Sequence, residues 1–121
     1  MAAEKIKIVI VDDEQDLCFL LSDMLTGLGY EVNSFFTLDT GMTGIQALKP
    51  DWVVLDNNLP DGLGWGKTDD ILNLIPGVNI IKISANPDSH RNYYKSQVHY
   101  LIKPIDVNSI VAFINNSRAA S

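Results

Sequence analysis

Short runs of apolar, largely β-branched residues constrain this chain most. They are Ile6-Lys7-Ile8-Val9-Ile10-Val11, Trp52-Val53-Val54-Leu55, Asn79 to Ser84, and Val98 to Ile102. Each reads as a buried strand, because branched side chains suit a pleated sheet. Residues 31–36 read as a shorter strand of the same kind. Amphipathic segments alternate with them. Residues 14–28 place Leu17, Leu21, Met24, Leu25 and Leu28 three and four apart, and Gly29 is a fitting C-cap. Residues 38–48 form a second helix, weakened by Gly41 and Gly44 and broken at Lys49-Pro50-Asp51. Asn57 to Gly64 is a loop with a turn at Pro60-Asp61-Gly62. Residues 65–75 carry Ile71, Leu72, Leu74 and Ile75 before Pro76-Gly77 stops them. Pro87 to Gln97 is polar, the weakest of the helical segments. Residues 106–116 form the last helix. Strands alternating with helices five times over imply a parallel sheet covered on both faces, and right-handed crossovers leave a doubly wound topology. One α/β domain spanning 1–121 is expected, with its core at about 5–116.

Composition narrows the function. The chain has 121 residues, 46% of them hydrophobic, and a formal net charge of −6. An acidic balance argues against nucleic-acid binding, which needs a basic face. The single cysteine, Cys18, excludes an internal disulfide and fits a reducing compartment. No apolar run approaches the length of a membrane span, so a cytoplasmic protein is expected.

Chemistry-bearing residues stand where four of the strands end. Asp12-Asp13 follows the first strand and Asp56 the third. Ser84-Ala85 closes the fourth, and Lys103-Pro104 follows the fifth. In an open parallel sheet, sites form outside the carboxyl ends of the strands. Crowded carboxylates repel one another, so such a crevice raises a pKa or recruits a cation, and oxygen-only ligands suit Mg²⁺. A hydroxyl and an ammonium add donors for an anion, and a carboxylate can be the nucleophile that takes up a phosphoryl group. Taken singly, Asp12 and Asp13 read equally well as N-caps, Ser84 as a turn cap and Tyr100 as a static core aromatic. His90 and His99 have no partner at ligand spacing. His90 is expected at the surface, His99 at a strand edge, and Trp52 and Trp65 in packing roles.

Four motifs occur together in order: Val11-Asp12-Asp13-Glu14, Leu55-Asp56-Asn57-Asn58-Leu59-Pro60 with Gly64, Ser84-Ala85, and Tyr100-Leu101-Ile102-Lys103-Pro104. In these the chain resembles the receiver domains of two-component response regulators, over essentially its whole length. The resemblance implies a flavodoxin-like sheet of order 2-1-3-4-5. It also implies phosphoryl transfer from a histidine kinase or a histidine phosphotransfer protein to Asp56. Mg²⁺ would be held by Asp13 and Asp56 directly, by Asp12 through water, and by the backbone carbonyl of Asn58. Ser84 and Tyr100 match the switch pair, and Lys103 matches the lysine that pairs with the phosphoryl group. Pro104 matches a proline often reached through a cis peptide. An effector domain or protein is the implied downstream partner, and the domain itself is a signalling acceptor rather than an enzyme. Two departures stand out: the segment from Ser84 to Lys103 is short for the family, and Asn57 replaces the usual apolar residue. Rival readings are a small aspartate-based phosphotransferase or phosphatase, for which the chain has no spare cap, and a phosphorylation-independent docking module.

Overall fold

The computed structural model describes residues 5–85 and 96–119. Strands β1 (Lys7–Val11), β2 (Glu31–Phe35), β3 (Trp52–Asp56), β6 (Asn79–Ser84) and β7 (Val98–Ile102) form one sheet in the order β2-β1-β3-β6-β7. All its pairings are parallel. With the intervening strands β4 (Asn58–Leu59) and β5 (Gly62–Leu63) set aside, this is the order 2-1-3-4-5 of a flavodoxin-like fold. The helices are α1 (Gln15–Gly27), α2 (Leu38–Leu48), α3 (Thr68–Leu74) and α4 (Val107–Ala119). The segment 86–95, which holds most of the polar stretch expected to be a short fourth helix, lies outside the described residues.

Side-chain alternation along each strand sorts the core into two layers. Ile8, Ile10, Trp52, Val54, Ile81 and Ile83 pack on one face with Leu21 and Leu25 of α1 and Ile110 and Ile114 of α4. Val9, Val11, Val53, Leu55 and Ile80 pack on the other with Ile45 of α2 and Ile71 of α3. The sheet is therefore covered on both sides.

Local chemistry explains the boundaries. Helix α1 ends as a Schellman turn: Gly29 has φ +100°, its N–H donates to the carbonyl of Thr26, and Tyr30 N–H donates to Leu25. In α2 the glycines that lower helix propensity permit close packing. A Cβ at Gly41 would lie 2.8 Å from both Val11 methyls, and one at Gly44 would meet the Phe35 ring. The turn expected in the loop 57–64 closes a small hairpin, pairing Asn58 with Leu63 and Leu59 with Gly62. The helix expected over 65–75 begins instead as a 3-10 turn, Gly64–Lys67, before α3.

Candidate functional site

The strand ends expected to converge do so at the mouth of the sheet. Asp12 leaves β1 with its N–H donating to Phe35 of β2, and its carboxylate is 0% exposed. Asp56 ends β3 and is 4% exposed, whereas Asp13 is exposed. One carboxylate oxygen from each of Asp12, Asp13 and Asp56 lies within 4.8 Å of the other two. The adjacent hairpin carries Asn58. Beyond β7, Lys103 follows with its N–H donating to the Ser84 carbonyl at 2.8 Å, and the Lys103–Pro104 peptide is cis. Ser84 is buried at the end of β6.

Lys103 organises the acids. Its Nζ lies 3.3 Å from Asp12 Oδ2, 3.5 Å from Glu14 Oε2 and 3.6 Å from Asp56 Oδ2. Burial alone works against an ammonium, but the charges of Asp12 and Asp56 outweigh it and hold the lysine above its ordinary pKa. The same burial pushes both Asp12 and Asp56 above the usual carboxylate range. At Asp56 the charge of Asp12 adds to this, and Lys103 opposes it at both.

Backbone donors aim the carboxylates. Asp12 Oδ1 accepts from Glu14 N–H at 2.9 Å, and Asp56 Oδ1 accepts from Asn57 N–H at 2.9 Å. Asp12 Oδ2 is buried and, among the described residues, accepts no hydrogen bond, with Lys103 at ion-pair distance. A buried oxygen held only by an ion pair, beside two further carboxylates, is a donor set that fits a hard divalent cation.

The loop after Asp56 is held from both ends. Gly64 N–H donates to the Asn57 carbonyl at 2.8 Å, and a Cβ at Gly64 would stand 2.1 Å from the Asp56 carbonyl oxygen, so only glycine closes this turn. Asn57, the polar residue where an apolar one is usual, accepts the Trp65 N–H on its Oδ1 at 3.2 Å. Asp61 at the hairpin tip accepts from Leu38 N–H at 2.7 Å and Asp39 N–H at 2.9 Å, the first turn of α2. These bonds, that of Asp39 first, keep its carboxyl below the usual range.

Tyr100 lies on β7, one layer below the crevice. Its ring meets Trp65 edge-on, with centroids 5.9 Å apart at 79°. Lys82 Nζ lies 5.2 Å from the Trp65 ring centroid and 5.6 Å from that of Tyr100. Sequence reasoning passed over Lys82, although a lysine inside Ile80-Ile81-Lys82-Ile83 was the available signal. His99 is on an edge strand as expected, but its ring stacks on Trp52 at 5.5 Å and lies tilted against Phe113 at 4.7 Å, and its Nε2 is buried with no hydrogen-bond partner among the described residues. His90 lies outside the described residues.

Comparison with known proteins points one way. The profile of the Response regulator receiver domain family matches residues 8–115. The chain is 30% identical over 115 residues to the uncharacterized transcriptional regulatory protein YvcP of Bacillus subtilis, covering 91% of this chain and 47% of that protein. It is 30% identical over 107 residues to the KDP operon transcriptional regulatory protein KdpE of Escherichia coli, covering 87% and 48%. The chain thus spans about half the length of these curated relatives. Among solved structures, a CheY-like response regulator receiver domain protein from Methanospirillum hungatei superposes with a TM-score of 0.79 at 22% identity, covering 94% of each chain. Among the described residues, no helix is long and apolar enough to cross a membrane.

Proposed function

This chain belongs to the response regulator receiver domain family, and on that premise we propose that Asp56 accepts a phosphoryl group from a phosphohistidine on a partner kinase or phosphotransfer protein. The observation that supports this most is the single crevice in which Asp12, Asp13, Asp56 and Lys103 meet. Asp56 attacks phosphorus with a carboxylate oxygen, a P–O bond forms, and the P–N bond to the imidazole breaks. The Asn57 N–H fixes Oδ1, so Oδ2 is the oxygen left facing Lys103. Lys103 then offers its charge to the phosphoryl oxygens in place of the carboxylates it holds at rest. Ser84, at the end of the strand beside β3, contributes a hydroxyl donor to the same group.

Mg²⁺ is the cation this donor set fits, and Asp12, Asp13, Asp56 and the Asn58 carbonyl would hold it. When bound it supplies Lewis-acid neutralisation of charge on the transferring group. The new charge is met by Ser84 and Lys103 only if they move, which carries the signal to Tyr100. The domain acts as a signalling acceptor in the cytoplasm, with its output read by an effector domain or protein.

Incubation with Mg²⁺ and a small acyl-phosphate donor should add one base-labile phosphoryl group by intact mass. Asp56→Asn should abolish that gain, and Asp13→Ala should abolish Mg²⁺ binding by titration. Equal labelling of Asp56→Asn would overturn the assignment.

A further inference from the structure

A lysine in the middle of an interior strand of a sheet is costly, because the interior does not solvate an ammonium. Lys82 is 5% exposed, and burial pulls its pKa below the ordinary value, with the charge of Asp69 acting against that pull. The register shows what it faces. Leu55 of β3, Lys82 of β6 and Tyr100 of β7 are aligned across three neighbouring strands, one step inside the row that holds Asp56. Trp65 closes this row, its indole Nε1–H donating to the Leu55 carbonyl at 3.1 Å. The Trp65 N–H is bonded to Asn57, the residue after the acceptor. Lys82 Nζ stands near both rings, at 5.2 Å from Trp65 and 5.6 Å from Tyr100.

We propose that Lys82 is a positioning residue that holds the Tyr100 ring against Trp65 and so ties the switch aromatic to the loop that follows Asp56. Both rings turn toward one cation, so neither moves without changing its distance to that charge. A desolvated cation–π contact biases a ring's position by on the order of tenfold. The chain of contacts is continuous: Asp56, Asn57 and Trp65 through hydrogen bonds, then Lys82 and Tyr100 through the rings. Ser84 lies two residues beyond Lys82 on the same strand face, so its displacement would be felt at Lys82 as well. The role in signalling rests on the acceptor reading above. The positioning of Tyr100 does not.

The test uses NMR of the whole chain. Lys82→Leu removes the charge without introducing a sulfur that could replace the ring contact, and Lys82→Arg keeps a cation that stacks on aromatic faces. Without any ligand, the Overhauser contact between the Tyr100 ring and the Trp65 indole should fall about threefold or more in Lys82→Leu and return in Lys82→Arg. With Mg²⁺ and beryllofluoride, the Tyr100 ring resonances should shift in the wild type and in Lys82→Arg. They should stay still in Lys82→Leu while the Asn57 amide and the Trp65 N–H still respond. A ring contact of wild-type strength in Lys82→Leu would overturn the proposal, as would an arginine variant indistinguishable from leucine. If the wild-type Asn57 amide ignored beryllofluoride, the acceptor reading would fall instead, and the ligand-free contact would still decide the role of Lys82.

Discussion

Lys103 at the mouth of the sheet and Lys82 just inside it are both largely withdrawn from water, yet their surroundings act on them in opposite directions. Lys103 meets three carboxylates within 3.6 Å and is held above its ordinary pKa. Lys82 lies near two aromatic rings and feels the charge of Asp69, yet is pulled below it. Burial opposes the charge at both sites, so the neighbours decide the outcome. At Lys103 the carboxylates return more than desolvation removes, whereas at Lys82 the charge of Asp69 returns less. The mouth is thus an electrostatic knot that needs every member, and the aromatic layer holds a charge kept for where it points.

Removing each lysine should show this, and the mouth should give the larger effect. Lys103→Met leaves Asp12 and Asp56 buried without their cation, so stability at pH 8 should fall by about 3 kcal/mol in urea unfolding. The sign with pH follows from the raised pKa of both acids. Their folded forms bind protons more readily than the unfolded chain, so acid favours folding through them. The deficit should therefore shrink as the pH is lowered from 8 toward the range where these acids take up protons. A deficit that ignored pH, or none at all, would break the comparison from the side of the crevice.

The same operation at Lys82 should give the opposite sign. Asp69 is exposed and remains solvated when the lysine is gone. Lys82→Leu should leave stability unchanged or raise it by about 1–2 kcal/mol, measured by the same unfolding curves. A loss as large as that of Lys103→Met would mean the aromatic layer is as tightly knotted as the mouth.

The smallest effect sharpens the comparison on the opposite face of the sheet. Burial among Trp52 and Phe113 keeps the His99 pKa below its usual value. The unfolded chain then binds the proton first, so His99 costs stability as pH falls through about 6.5. His99→Phe should flatten the loss of stability between pH 7.5 and 5.5 relative to the wild type. An identical slope in both would show that the ring accepts its proton without disturbing the packing.

The sheet was legible because its strands are short β-branched runs with unambiguous stops. Pro76-Gly77 precedes β6 and Pro104 follows β7, and both strands run over the residues expected of them. The acids, Ser84 and Lys103 were legible as a set because each falls where an apolar run ends, and the resemblance named them together. What escaped was tertiary. The turn at Pro60-Asp61-Gly62 was visible, but the grip of Asp61 on the first turn of α2 depends on a partner more than twenty residues away. Gly41 and Gly44 count as helix weakeners until Val11 and Phe35 are seen against them. Lys82 is marked in the sequence only as a charge inside Ile80-Ile81-Lys82-Ile83, and the two rings near it come from distant segments.

Cys18 has a consequence for how the crevice withstands oxidants. Its thiol is fully buried, donates to the Asp12 carbonyl at 3.3 Å, and is pushed up to about 12 by burial first and by the Asp12 charge second. Near neutral pH such a thiol stays protonated, and the thiolate is the form that peroxides and disulfides attack. A sulfur directly behind a proposed phosphoryl-acceptor site is thereby kept off the oxidation ladder. Peroxides and disulfides should therefore leave Cys18 unmodified while the fold is intact.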